Sequence, residues 1–282
     1  ANIPAQLGYS GAGIVKAIGA GVRSVSVGER VLQLWGSHAR SSIALERNLI
    51  KIEADSLDLK YAAFGLIAAF SAAGLRKTRL EFGESIMIFG MGILGAFAVQ
   101  LSRGAGAFPI IAADLNPDRR KLALKLGADY AFDPADDGFL EAVKSVTGGK
   151  GVNAIIEVTG QAIALSQTLD CIAPLGRVSL LGCTRVSDVA IDYYQQVHRR
   201  GVTIVGAHTN VRPQFESAPH YWTERDDCTT ILNFMAHGRM DPSKILSAVY
   251  LPENAPEVYQ KLAENKDFPV GAVFDWTKSK TN

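Results

Sequence analysis

The 282-residue sequence is poor in cysteine, in blocks of one charge and in long apolar runs, and each shortage argues against a class of function. Its three cysteines, Cys171, Cys183 and Cys228, stand far apart, are odd in number and form no Cys-x-x-Cys pair. A disulfide framework or a cysteine-rich zinc knuckle is not expected, and the thiols read as reduced core residues of a cytoplasmic protein. Lysine and arginine number 29 against 28 aspartates and glutamates, with no basic block, so no nucleic-acid partner is expected. No apolar stretch approaches the roughly 18–20 residues that span a bilayer, and no membrane partner is expected. The opening Ala1-Asn2-Ile3-Pro4-Ala5 has neither the basic region nor the apolar segment of a secretion signal. Repeats and low-complexity tracts are absent as well, which removes solenoid architectures.

What remains is an ordinary globular composition, 48% hydrophobic and 20% charged, on a chain long enough for one large domain or two. From residue 85 to about 207, short apolar β-type runs alternate with amphipathic helical stretches. Strands are predicted at Ser85–Phe89, Pro109–Asp114, Tyr130–Phe132, Asn153–Val158, Arg177–Leu181 and Val202–Val205. Helices are predicted at Ile93–Arg103, Asp118–Leu126, Phe139–Val146 and Ala162–Ile172. Ile86-Met87-Ile88-Phe89 is continuously apolar instead of alternating, the mark of a strand buried on both faces of a parallel sheet. The fold class is therefore α/β, a Rossmann-type doubly wound sheet. Residues 8–53 are glycine-rich, with short β-type runs at Gly13–Ala17, Arg30–Leu34 and Ser42–Ala44. Residues 54–84 read as mostly helical. A helix around Asp226–His237 and a last unit ending in Val270–Trp276 follow the sheet. The two flanks have similar texture, which predicts one outer domain with the sheet domain inserted into it.

The sharpest motif is Gly90-Met91-Gly92-Ile93-Leu94-Gly95, placed directly after an apolar strand and opening an apolar helix. In that context Gly90 permits a tight turn, Gly92 lets the backbone approach a pyrophosphate, and Gly95 permits close packing. The N–H groups that begin the helix, around Ile93 and Leu94, then face a diphosphate. Asp114 follows Gly95 by nineteen residues, at the end of the next predicted strand. A carboxylate there accepts from a ribose diol and repels a 2′-phosphate, which favours NAD and disfavours NADP. Arg119 and Arg120 stand close enough to serve a 2′-phosphate instead, so the choice of cofactor stays open here. Small or polar residues recur where later strands end, at Thr159-Gly160, Gly182-Cys183 and Gly206-Ala207-His208, where α/β sheets bind ligands.

Together with Gly8-Tyr9-Ser10-Gly11-Ala12-Gly13-Ile14-Val15, Gly19, Gly21-Val22 and Gly28-Glu29-Arg30-Val31, these features resemble the medium-chain dehydrogenase/reductase family. The resemblance implies a partial GroES-like catalytic domain at 1–66, a Rossmann domain at 67–209 and a C-terminal return to the catalytic domain at 210–282. It also implies cofactor contacts at Arg119, Thr159, Gly160, Gly182 and Cys183, and a homodimer or higher homo-oligomer joined through Rossmann sheet edges. Zinc-dependent members carry His-Glu where this chain has Tyr9-Ser10, and a second ligand where it has Gly65. A catalytic zinc needs three protein ligands and an open position, so a zinc-free branch with no metal site is expected. Tyr9-Ser10 and Trp35-Gly36-Ser37-His38-Ala39 resemble, more narrowly, the bacteriochlorophyllide-dehydrogenase-like group. Family chains also carry a longer segment before the Gly8 motif, so the start at Ala1 reads as a fragment or as the processed end of a short protein.

Without a metal, hydride transfer needs a titratable side chain beside the reacting carbon or oxygen. The candidates are Tyr9, His38 and His208. Arg212, in the polar and aromatic stretch 208–222, is a candidate anion contact. The expectation is an NAD-dependent oxidoreductase interconverting an alcohol and a carbonyl on a small polar molecule of the sugar or polyol kind. The alternative is a non-catalytic NAD(H)-binding protein of the same fold.

Overall fold

Burial on both faces of consecutive apolar runs builds the main sheet. In the computed structural model, which describes residues 7–264 and 268–279, the four residues of β4 (Ile86–Phe89) and of β5 (Ile110–Ala113) are all buried. They are joined by β6 (Tyr130–Phe132), β7 (Val152–Glu157), β8 (Ile172–Leu180) and β9 (Thr203–Gly206). The six strands lie in the order β6-β5-β4-β7-β8-β9, every pair parallel, which is the doubly wound dinucleotide-binding arrangement with its crossover point between β4 and β7. The helices α3 (Ile93–Gly104), α4 (Pro117–Leu126), α5 (Phe139–Val146) and α6 (Ala162–Cys171) connect successive strands. On one face Met87, Phe89, Ile111 and Ala113 pack with Phe139 and Val143 of α5 and Leu169 of α6. Local chemistry sets the helix ends. Asn116 caps α4 by accepting from the N–H groups of Asp118 and Arg119, Pro117 occupies the first turn, and Gly127 closes the helix at φ +110.

The Cα framework divides into two compact units, one of residues 68–227 and one of residues 1–67 with 228–282. The smaller unit contains a three-stranded antiparallel sheet of β1 (Ser10–Ile14), β2 (Arg30–Leu34) and β3 (Leu49–Lys51). It also holds a parallel pair, β10 (Leu246–Tyr250) and β11 (Gly271–Phe274), with α1 (Leu59–Ala62) and α8 (Ala255–Glu264). Two helices contain the unit boundaries, α2 (Gly65–Lys77) and α7 (Glu224–Ala236). Residues 210–227, read from the sequence with the C-terminal return, cluster with the sheet. The reason is Lys77 of α2, whose Nζ donates to the carbonyls of Gly206 and Val211, both at 3.0 Å. Arg212 adds a bond to the Ala69 carbonyl at 3.0 Å.

Three strand expectations shift. The run at Ser42–Ala44 forms no strand, because Ile43 is fully exposed and finds no sheet to cover it, while Ile50 of β3 is 3% exposed and pairs with Leu32. The first strand starts at Ser10, ahead of the expected Gly13, since Ser10–Ile14 pairs residue for residue with Leu34–Arg30. β8 begins at Ile172, directly after α6, five residues before the expected Arg177. Ile172 and Ala173 are buried there, and an irregular register carries the chain past Leu175 at φ +63. The opening residues Ala1-Asn2-Ile3-Pro4-Ala5 lie outside the described residues. Among the described residues no helix is long and apolar enough to cross a membrane.

Candidate cofactor and active site

The carboxyl ends of β4, β5, β7 and β8 meet around the glycine turn. Gly90 sits at φ +106, and a side chain there would press on the Thr159 methyl at 2.8 Å. At Gly95 an added Cβ would fall 1.9 Å from the Gly90 carbonyl oxygen, so α3 docks on the turn only with glycine at that place. Gly92 differs from both. It is the N-cap of α3, has φ −69, and a Cβ built on it meets nothing within 4 Å. Having no side chain, it leaves the first-turn N–H groups of α3, those of Ile93 and Leu94 among them, without a capping oxygen. Partial positive charge and bare backbone at an open surface suit a diphosphate.

Asp114, immediately beyond β5, is tied to that turn: its Oδ2 accepts the Met91 N–H at 2.7 Å and its Oδ1 accepts the Asn116 N–H at 2.8 Å. The loop thus fixes the carboxylate next to the glycines with lone pairs left to accept from hydroxyl donors. Of the two arginines nearby, Arg120 is committed elsewhere. Its Nη1 donates to the carbonyls of Asp114 and Leu115 and to Asp133 at 2.8 Å. Arg119 lies in the first turn of α4, its N–H donating to Asn116. These residues fit the adenosine and diphosphate portions of a dinucleotide, by donor geometry at Gly92 and by acceptor geometry at Asp114.

On the other side of β4, Thr159-Gly160 and Gly182-Cys183 pack together. Gly160 is at φ +69, and a Cβ on it would lie 3.1 Å from the Cys183 carbonyl. Gly182 has its own missing Cβ 2.5 Å from the Gly160 nitrogen. Beneath them is Glu157, a 1% exposed carboxylate that the sequence analysis passed over. Its place directly after the apolar run Ala154-Ile155-Ile156 was the available signal. Burial pushes its carboxyl above the ordinary range, against hydrogen bonds from Thr159 and Gly160 that pull it down.

The three candidate proton carriers do not share a unit. Tyr9 and His38 belong to the smaller one and His208 to the sheet unit. The Tyr9 ring lies 5.9 Å from that of Trp35, and burial raises its phenol. His38 touches Gly8 and accepts at, or donates from, Nδ1 to the Tyr259 hydroxyl at 2.6 Å, with Phe274 edge-on at 5.3 Å. Partial burial lowers His38 and raises Tyr259. Tyr259, far along the chain, is a partner that no local motif announces. His208 is exposed and takes the Asn210 N–H on Nδ1 at 3.2 Å.

Arg212 is not available as an anion contact. It is buried on Phe70 and spends its donors on Asp227 at 3.3 Å, the Thr209 carbonyl and the Ala69 carbonyl. Asp227, wholly buried, also accepts from Arg76 at 2.9 Å, whose guanidinium stacks 3.6 Å over Trp222.

The positions that carry zinc in the resembling family do not fit a metal. Ser10 uses its hydroxyl to donate to the Ala63 carbonyl at 2.5 Å, and Gly65 has no side chain and packs against Leu32. Among the described residues no three His, Cys, Asp or Glu side chains are grouped to hold a metal ion.

Residues 94–221 match the family model described as zinc-binding dehydrogenase, a stretch that excludes positions 9, 10 and 65. L-threonine 3-dehydrogenase of Pyrococcus horikoshii is 31% identical over 168 residues, which are 60% of this chain and 44% of that protein. D-guloside 3-dehydrogenase of Escherichia coli K12 is 26% identical over 199 residues, 70% of this chain and 56% of that protein. The matches thus span less than two thirds of either relative. Among solved structures, 2R,3R-butanediol dehydrogenase from Bacillus subtilis superposes with a TM-score of 0.78 at 20% identity, over 97% of this chain and 81% of that one. The family match and the relatives support the resemblance to zinc-binding, medium-chain dehydrogenases, and the superposition establishes the fold.

Proposed function

We propose that the protein is an NAD(H)-dependent oxidoreductase that interconverts an alcohol and a carbonyl on a small polar substrate without zinc. The observation that carries this is the bond from the Met91 N–H to Asp114, which joins the glycine turn and the acid into one acceptor and donor surface. A bound nicotinamide dinucleotide would accept the hydride in alcohol oxidation and supply it in carbonyl reduction. The chain's own contribution begins with the first-turn N–H groups at Gly92, Ile93 and Leu94, which hold the diphosphate. Asp114 accepts from the adenosine ribose and rejects a 2′-phosphate, so NAD is preferred over NADP. Arg119, Thr159, Gly160, Gly182 and Cys183 line the rest of the cofactor. Tyr9, held protonated by burial, and His38, held neutral by burial, are the candidates for the proton at the reacting oxygen, with His208 as a third.

Relatives named for oxidation at a hydroxyl-bearing carbon of threonine, a guloside and butanediol support a hydroxylated substrate. Absence of imidazole, thiolate or carboxylate at positions 9, 10 and 65 supports zinc independence, and a catalytic domain formed by the smaller unit, a homodimer and a cytoplasmic setting complete the proposal. The decisive experiment titrates purified protein with NADH and NADPH, then assays sugars, polyols and small alcohols before and after chelation, with zinc measured on the same sample. Turnover that persists at substoichiometric zinc is expected. Stoichiometric zinc whose removal abolishes turnover would refute zinc independence. The bonded Ser10 hydroxyl and bare Gly65 also favour a second reading, an NAD(H)-binding protein without catalysis. Tight NADH binding with no turnover across that panel selects it.

A further inference from the structure

Glu157 serves none of the steps above, yet it organises the whole turn that follows β7. Its Oε1 accepts the Thr159 N–H at 2.6 Å and also the Thr159 hydroxyl, and the Gly160 N–H adds a third bond. The Thr159 hydroxyl in turn accepts the Gln161 N–H at 3.0 Å, so that side chain is consumed internally and its methyl is set against Gly90. The Glu157 carbonyl accepts the N–H groups of Leu181 at 2.9 Å and Gly182 at 2.8 Å, tying in the end of β8. Gly182 has no room for more: a Cβ there would lie 2.8 Å from Glu157 Oε2. The hydrogen bonds from this turn to the carboxylate all come from donors, and a carboxylate alone among buried side chains meets several donors without offering one back. An acid buried this deeply is costly unless hydrogen bonds compensate it, and here the donors of the turn oppose that cost.

The topology says what the geometry is for. Asp114 follows β5, on one side of β4, whereas Glu157 and its two turns end β7 and β8 on the other. A dinucleotide laid over the glycine turn straddles β4, so its adenosine half meets Asp114 and its nicotinamide half meets the Glu157 turns. We infer that Glu157 is a positioning residue for the nicotinamide half, holding Thr159-Gly160 and Gly182-Cys183 as one rigid wall. The inference rests on the dinucleotide reading proposed above.

The test compares two probes, NADH and ADP-ribose, which lacks only the nicotinamide. In Glu157→Gln one carboxylate oxygen becomes an NH2: the remaining oxygen can keep the Thr159 bonds only by turning the two new N–H groups against the Gly182 turn, which packs on the other oxygen. NADH binding should weaken by about 5- to 30-fold while ADP-ribose stays within about twofold, since only hydrogen bonds on one side of β4 are lost. The fluorescence blue shift of bound NADH, which reports the surroundings of the reduced ring and needs no turnover, should shrink. Thr159→Val, which deletes one donor and keeps the methyl, should weaken NADH in the same direction by a smaller factor. It decides the matter by the same comparison if Glu157→Gln does not fold. Equal weakening of both probes makes Glu157 a general structural residue and overturns the inference, as does an unchanged NADH affinity in a folded variant. A wild-type protein that binds neither probe overturns the dinucleotide reading itself.

Discussion

Gly92 and Gly95 are three residues apart in one motif, and the structure assigns them opposite sensitivities. At Gly95 an alanine methyl would sit 1.9 Å from the Gly90 carbonyl oxygen, whereas real Cβ atoms essentially never lie under 3.0 Å from a neighbour. That neighbour is backbone, so the turn and α3 must separate by about 1 Å, and overpacking of this kind costs about 1–3 kcal/mol. For a domain of this size that lowers Tm by about 2–4 °C for each kcal/mol. Gly92→Ala meets open space at an ordinary negative φ, so its Tm should stay within about 1–2 °C of wild type. Its methyl nevertheless stands where a diphosphate must approach the first-turn amides, and a loss of about 1.4 kcal/mol or more there raises the Kd for NADH at least tenfold. Thermal melting without ligand and NADH titration by fluorescence, run on both variants, read the two effects separately. A Gly95→Ala protein that melts with wild type, or a Gly92→Ala protein that binds NADH normally, would refute the division of labour.

Three further outcomes follow from other contacts. Asp114→Ala should weaken NADH more than NADPH, moving the preference by about 10-fold or more for a lost charged hydrogen bond, and equal weakening would contradict the ribose role. Glu84 is held below the ordinary carboxylate range chiefly by hydrogen bonds from Arg177, one of them at 2.9 Å. A lowered folded-state pKa contributes stability above the unfolded value near 4.3 that is lost as pH falls toward the folded one. Glu84→Gln should therefore cost about 1 kcal/mol in urea at pH 7, discounted because the pair is one-fifth exposed, and the gap should narrow as pH falls below the unfolded value. A gap that widens in acid would show the sign to be wrong. Asp227→Ala strands Arg76 and Arg212 without their buried counter-charge and should cost about 3–5 kcal/mol by urea unfolding, whereas a loss under about 1 kcal/mol would mean the cluster is replaceable.

The parts of the fold readable from the sequence were those whose causes are local. Ile86-Met87-Ile88-Phe89 announces two-faced burial by its own composition, and Asn116-Pro117 with Gly127 announces both ends of α4. Gly90 and Gly95 announce a turn because their places leave no room for a side chain, while Gly92 meets nothing within 4 Å. What escaped depends on distant partners. Ser42–Ala44 has the β-type side chains of a strand but no sheet edge to meet, and Leu49–Lys51 took that place. Arg212 looked like an exposed cation in a polar stretch, although Asp227 and the Ala69 carbonyl, remote in sequence, had already taken its donors. Tyr259 reaches His38 from 221 residues away. Glu157 was visible as an acid directly after the apolar run Ala154-Ile155-Ile156, but its three donors come from a turn whose shape only the folded chain defines.

Arg212 grips the second residue of the sheet unit, Ala69, through its carbonyl, and the last one, Asp227, through its carboxylate. One guanidinium thereby brackets the entrance and the exit of a long intervening stretch of chain. A segment whose two ends are fastened together behaves as a cassette: its interior can be lengthened, shortened or exchanged while the distance between its two ends stays the same.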